Sequence, residues 1–72
     1  MFTNNIYLVT IEAADTMDLV KVLGKYGVKF KVGMEYVAPY DQKHTWLRNF
    51  QIKTSDRKMA KIKSELHSIG VY

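Results

Sequence analysis

The chain has 72 residues, of which 47% are hydrophobic and 25% are charged. A chain of this length is expected to form a single domain, residues 1–72, with little interior left for an enclosed active site. The composition is too apolar for a disordered segment. The absence of cysteine excludes disulfides, thiolate chemistry and cysteine-based zinc sites.

The net charge of +4 originates in the second half of the chain. Residues 1–36 carry four basic and four acidic side chains, whereas residues 37–72 carry seven basic and three acidic ones. This excess favours an anionic partner, either nucleic acid or an acidic protein surface. We expect a cytoplasmic protein, because small domains without disulfides suit a reducing compartment and residues 1–5 do not resemble a signal peptide. The apolar runs are also too short to cross a bilayer.

The first half of the chain predicts a strand, a helix and a second strand. Residues Ile6–Ile11 are all β-branched or aromatic except for one leucine, which is typical of a strand. Apolar residues then recur at helical spacing over residues 16–26, with Asp15 or Thr16 as the N-cap and Gly27 as the C-terminal stop. From Val28 the hydrophobic period changes to two, which predicts a long strand as far as Ala38.

The second half predicts another strand and another helix. Residues 39–42 form a turn, and a third strand runs from about Thr45 to Lys53. A helix follows, with possible caps at residues 54–56 and an end at Gly70. The order β-α-β-β-α predicts a ferredoxin-like α+β fold, in which a three-stranded antiparallel sheet carries two helices on one face. The fourth strand of that fold would be absent or vestigial.

A missing fourth strand would leave the first strand at the edge of the sheet. This strand is apolar on both faces, with Tyr7 and Val9 on one face and Leu8 on the other. No lysine or proline protects it, so its backbone is available to a second copy or to a strand of another protein. The alternative is that Val71 and Tyr72, together with the N-terminal residues, cover this edge.

The hairpin between the second and third strands predicts a second contact surface. A strand from Val28 to Ala38 is longer than the first helix, so the hairpin must project beyond the helices or bend, with Gly33 as the candidate position. Its aromatic and cationic side chains suit binding to bases or to a protein pocket. The residues concerned are Tyr36, Tyr40, Lys43, His44, Trp46 and Arg48. Alternatively, Tyr36 and Trp46 pair across the strands, and Arg48 contacts an aromatic ring or an acid.

A second group of cations is a candidate for contacts with nucleic acid or another anion. It consists of Lys29, Lys31, Lys53, Arg57, Lys58 and Lys61. Arg57 and Lys58 stand at the start of the second helix, where cations oppose the helix dipole and free amides bind anions. A capping Asp56 carboxylate would occupy those amides. For Lys58 and Lys61, together with Lys63 and Glu65, a solvated helix face is the simpler interpretation.

No pattern in the chain predicts catalysis, a cofactor or a metal. Glu12, Asp15 and Asp18 are the densest acidic group, and no paired histidine accompanies them. His44 and His67 do not have metal-ligand spacing. There is no glycine-rich phosphate loop and no nucleophile motif.

Two families offer partial resemblances. Residues Ile6–Ile11 resemble the first-strand motif of RNA-recognition motifs, which implies that Tyr7 stacks on a base, although residues 45–50 lack the glycines of the third strand. The element order is similar to that of ACT regulatory domains. Thr16-Met17 replaces their Pro-Gly turn, so the resemblance does not extend to amino-acid binding.

These observations favour a non-enzymatic binding protein, such as a regulator or inhibitor, which a phage or mobile element could encode. Its partner would be another protein or a second copy in a homodimer, bound through the first-strand edge and the hairpin. The alternative is a protein that binds single-stranded RNA or DNA through its basic residues. Nothing indicates a membrane or a small-molecule substrate.

Overall fold

The computed structural model of the protein describes residues 4–38 and 45–72. The elements are β1 (Asn5–Glu12), one turn of 3₁₀ helix (Ala13–Asp15), α1 (Thr16–Tyr26), β2 (Lys29–Val37), β3 (Trp46–Thr54) and α2 (Asp56–Ser68). The predicted order β-α-β-β-α and the α+β class are confirmed. Within these ranges, neither helix is long and apolar enough to cross a membrane.

The strands form one antiparallel sheet in the order β1-β3-β2. Both outer strands pair with β3, with Val9 opposite Phe50 and Phe30 opposite Ile52. Residues 70–72 do not add a strand, because the amides of Val71 and Tyr72 both donate to the carbonyl of Leu66. These amides close the end of α2, so β1 and β2 are the two edges of the described sheet.

One hydrophobic core lies between the sheet and both helices. The sheet contributes Val9, Ile11, Phe50 and Ile52, and the helices contribute Leu19, Val22, Leu23, Met59, Ile62 and Leu66. The sheet residues share one face, since each strand alternates its side chains between faces. Both helices therefore cover the same face, as predicted. The opposite face, which we call the open face, carries no helix among the described residues.

The first helix matches its predicted range, and Asp15, one of its two predicted caps, is the N-cap residue. It ends at Gly27, whose φ of 63° is the left-handed conformation that glycine adopts without strain. The Asp15 side chain makes no capping hydrogen bond. Instead, the hydroxyl of Thr16 donates to the carbonyl of Ala13 at 2.6 Å, because a 3₁₀ turn leads directly into the helix.

A bulge divides β2. Val32 lies opposite Phe50, whereas Glu35 lies opposite Arg48, so β2 contains one more residue than β3 between these pairs. The predicted alternation from Val28 to Tyr36 on one face is therefore wrong beyond Val32. The extra residue moves Tyr36 to the open face.

An ion pair joins the two helices. The Lys25 ammonium lies 2.5 Å from a Glu65 carboxylate oxygen, which also accepts from the Tyr26 hydroxyl at 3.1 Å. The hydrogen bond from Lys25 lowers the pKa of Glu65. The same bond raises the pKa of Lys25, and burial raises that of Tyr26. The pair thus links α1 to α2.

Candidate docking edge and basic cleft

The outer edge of β1 is a candidate site for strand pairing. We define the docking edge as the side of β1 turned away from β3, together with Ile6 and Leu8 on the open face. Ile6 is 59% exposed and Leu8 is 79% exposed. No charged side chain lies between Asn5 and Glu12. An exposed edge of this kind presents backbone donors and acceptors beside apolar side chains.

The two β1 side chains expected to bind a partner lie on the helix side. Val9 is only 2% exposed, so it offers a partner its backbone alone. Tyr7 is half-buried, its hydroxyl donates to the Asp56 carboxylate, and the Lys63 ammonium lies 5.9 Å from its ring centroid. Tyr7 therefore lacks the open-face position that base stacking would require. Ile6 and Leu8 lie on the opposite, open face, and the alternation along β1 separates them from Tyr7 and Val9.

The hairpin side chains separate onto two faces. The Tyr36 hydroxyl donates to the Asn49 side-chain oxygen at 2.9 Å on the open face. Trp46 pairs with Val37 on the other face and is 54% exposed. Tyr36 and Trp46 therefore do not form the cross-strand pair considered above. Tyr40, Lys43 and His44 lie outside the described residues.

Arg48 serves the structure of the hairpin. Its Nη2 lies 2.5 Å from an Oε1 of Glu35, and its Nη1 donates to the carbonyl of Gly33 at 3.4 Å. Its Nε is buried and has no hydrogen-bond partner in the described ranges. Of the roles considered for Arg48, the structure supports pairing with an acid. This contact spans the β2 bulge.

Five of the six candidate anion contacts surround a single depression. We call this depression, of about 540 Å³, the basic cleft. It lies where the end of β3 and the first turn of α2 meet the start of β2. Its cationic side chains are Lys29, Lys53, Arg57, Lys58 and Lys61, and no carboxylate lines it within the described part of the chain.

The acidic residue at the start of α2, Asp56, does not line the basic cleft. Ser55 is the N-cap, and its hydroxyl accepts from the amide of Lys58 at 3.3 Å. The Asp56 carboxylate instead accepts from the side chains of Asn5 and Tyr7, beside β1. Of the three possible caps, Ser55 is the one that the helix uses, and the Asp56 carboxylate does not occupy the helix amides.

The sixth cation, Lys31, extends the positive surface onto the open face. A second depression, of about 600 Å³, is lined by Ile6, Lys31 and Gln51 and shares Lys29 and Lys53 with the basic cleft. In this second depression, the apolar Ile6 and the amide of Gln51 therefore lie beside the lysines. The arrangement can contact an anion and an uncharged planar group at the same time.

The structure does not assemble the acidic residues into a metal site. Across residues 4–38 and 45–72, no three histidine or acidic side chains are placed to hold a metal ion, and this includes Glu12, Asp15 and Asp18. No protein-family model, curated protein or solved structure matches the chain. Its function therefore has to be argued from its own residues.

Proposed function

We propose that this chain is a non-enzymatic binding protein, acting as a regulator or inhibitor, that docks onto another protein through the docking edge. The observation that carries the proposal is an eight-residue edge strand, β1, whose exposed Ile6 and Leu8 lie beside a backbone edge that pairs with no other described strand. A partner strand added there would form main-chain hydrogen bonds along β1, and these supply affinity. Contacts with Ile6 and Leu8 would supply selectivity.

The order of the strands supports this mode of docking. The ferredoxin-like order is 4-1-3-2, and the order β1-β3-β2 is what remains when its fourth strand is removed. We propose that the partner strand takes the place of that fourth strand, antiparallel to β1. The partner's side chains on the open face would then cover part of Ile6 and Leu8, and each Å² of apolar surface removed from water is worth about 25 cal/mol.

The distal hairpin offers a second contact in the same proposal. Trp46 lies where the helices no longer cover the sheet, and a tryptophan that is half exposed suits a protein pocket. Tyr40, Lys43 and His44 remain candidates for this contact on the basis of the sequence. The absence of cysteine fits action in the cytoplasm.

The test replaces Leu8, the more exposed apolar side chain of the docking edge. Leu8→Lys places a charge beside the partner strand, while Met34→Lys makes the same change at an 88% exposed residue of β2. Sedimentation velocity detects pairing with a second copy. Capture from nuclease-treated lysate of the source cells, read by quantitative mass spectrometry, detects another protein.

We expect Leu8→Lys to weaken the specific interaction at least about tenfold, because a charge on a bare edge strand opposes strand addition. Met34→Lys should leave it unchanged. The proposal fails if the wild-type chain is monomeric and captures the same proteins as Leu8→Lys. It also fails if both variants lose the partner equally.

A further inference from the structure

Two lysines stand directly opposite one another at the mouth of the basic cleft. Lys29 of β2 is the register partner of Lys53 of β3, so both side chains emerge on the same face of neighbouring strands. Like charges in this position repel and lower stability. An anion bound between the two ammonium groups would offset this repulsion.

A second unfavourable placement faces the same cleft. Arg57 and Lys58 occupy the first turn of α2, where the helix dipole already presents positive charge. Neither of the two ion pairs in the described ranges includes a cleft residue, since these pairs are Lys25–Glu65 and Arg48–Glu35. Two independent departures from favourable electrostatics thus converge at one place, which is typical of binding sites.

The extent of the positive surface indicates the class of ligand. A free phosphate needs only a few of these cations, whereas the basic cleft continues through Lys29 and Lys53 to Lys31 on the open face. There Ile6 and the amide of Gln51 lie beside the lysines. A chain that alternates phosphates with unpaired bases matches a cationic path flanked by apolar and amide groups.

We propose that the basic cleft binds the sugar–phosphate backbone of a single-stranded nucleic acid, whose bases extend across the open face towards Ile6 and Gln51. Double-stranded nucleic acid fits less well, because its base faces are stacked and cannot contact an apolar side chain. This activity does not depend on strand addition at β1. Either proposal can therefore fail without the other.

The binding test compares two charge-matched double variants. Lys53→Gln/Lys58→Gln removes two cations from the basic cleft, and Lys21→Gln/Lys63→Gln removes two exposed cations elsewhere. Fluorescence anisotropy would follow labelled 12-nucleotide RNA, DNA of the same sequence, and the corresponding duplexes. Titrations at 50 to 200 mM salt would give the salt dependence of the affinity.

We expect the cleft variant to bind single strands about tenfold more weakly at low salt. The negative slope of log affinity against log salt should become shallower by about 1.4, because each of the two lost phosphate contacts on a single strand contributes about 0.7. The control variant should lose less affinity than the cleft variant, and its salt slope should remain almost unchanged. The RNA and DNA arms decide which nucleic acid is preferred.

A stability measurement separates binding from a structural role. Thermal unfolding at low salt, without ligand, should occur at a higher temperature for the cleft variant than for the wild type, because repulsion has been removed. A variant that loses both stability and binding would overturn the proposal. So would tighter binding to duplex, equal losses in the control variant, displacement by polyglutamate of equal charge, or no binding by the wild type at 50 mM salt.

Discussion

The two edge strands of the sheet, β1 and β2, differ in charge and in regularity. β2 carries Lys29 and Lys31 and is interrupted by a bulge after Val32. Charged side chains and bulges are the devices by which proteins keep an edge strand from pairing. β1 has an uninterrupted register with β3 and no charge between its terminal residues Asn5 and Glu12.

Among the described residues, protection against pairing is therefore found at the β2 edge and not at the β1 edge. An apolar edge strand without protection is an aggregation hazard in a protein that has no partner for it. The combination of a protected β2 and an unprotected β1 is therefore what we expect if a partner pairs with β1. Three changes, from the largest expected effect to the smallest, can break or sharpen this contrast.

The largest effect on the free energy of unfolding should come from placing a lysine on the buried face of β1, compared with a lysine on its open face. Val9→Lys would bury a charge in the core and cost more than about 4 kcal/mol, which approaches the whole stability of a small domain. Leu8→Lys should change the free energy of unfolding by about 0.5 kcal/mol or less, because its side chain lies in water. Chemical denaturation followed by far-ultraviolet circular dichroism measures both.

This comparison decides which substitution can test docking. Loss of binding in Val9→Lys would report only that the chain had unfolded. A cooperative transition of Leu8→Lys near that of the wild type would validate it as a docking variant. If Leu8→Lys unfolded as readily as Val9→Lys, the open face of β1 would have to be covered in solution.

A smaller effect is expected from removing protection at the other edge. Lys31→Val should make β2 more apolar and raise its tendency to self-associate, while altering stability by less than about 1 kcal/mol. Lys31→Glu keeps a charge at the same position and should remain as dispersed as the wild type. Light scattering over a concentration series measures both variants. Equal dispersity of all three proteins would show that Lys31 does not guard this edge.

The smallest effect should come from the Lys25–Glu65 ion pair, which joins the two helices. The folded-state pKa of Glu65 is lowered, mainly by the Lys25 hydrogen bond, so its contribution is present above the ordinary glutamate pKa and lost on acidification. Glu65→Gln should therefore be less stable than the wild type at neutral pH. The two should converge as the pH falls through the lowered pKa.

Unfolding curves at several pH values would measure this convergence. Both groups of the pair face water, so the difference should remain small. Docking by Glu65→Gln should equal that of the wild type, which makes it a baseline for the edge variants. A constant stability difference across the acid range would contradict the assigned role of the carboxylate.

Local sequence patterns predicted the helices and strands, whereas the face on which each strand side chain lies depends on the register between the strands. The spacing of apolar residues and Gly27 located α1, and Ser55 was among three predicted caps for α2. The face occupied by Tyr36 could not be predicted, because one extra residue in β2 reverses all later positions. Gly33 was the sole local sign of this irregularity.

The basic cleft was predictable only in part, because some of its residues are close in sequence and others are brought in by strand pairing. Lys53, Arg57 and Lys58 are close in sequence, so a strand leading into a helix must bring them together. Lys29 joins them only through the pairing of β2 with β3. The orientation of Asp56 depends on Asn5 and Tyr7, about 50 residues away in the chain, and no local pattern encodes such a contact.

The pairing of β1 with β3 also determines how the molecule folds. β2 and β3 are neighbours in sequence and can form a hairpin early, whereas Asn5 must find Thr54 across almost the whole chain. Contacts between distant residues form slowly, since a long loop must close before they are gained. We therefore expect β1 to be the last strand to join the sheet. The strand proposed to receive a partner is itself acquired last, so a partner present during folding could reach it as it docks.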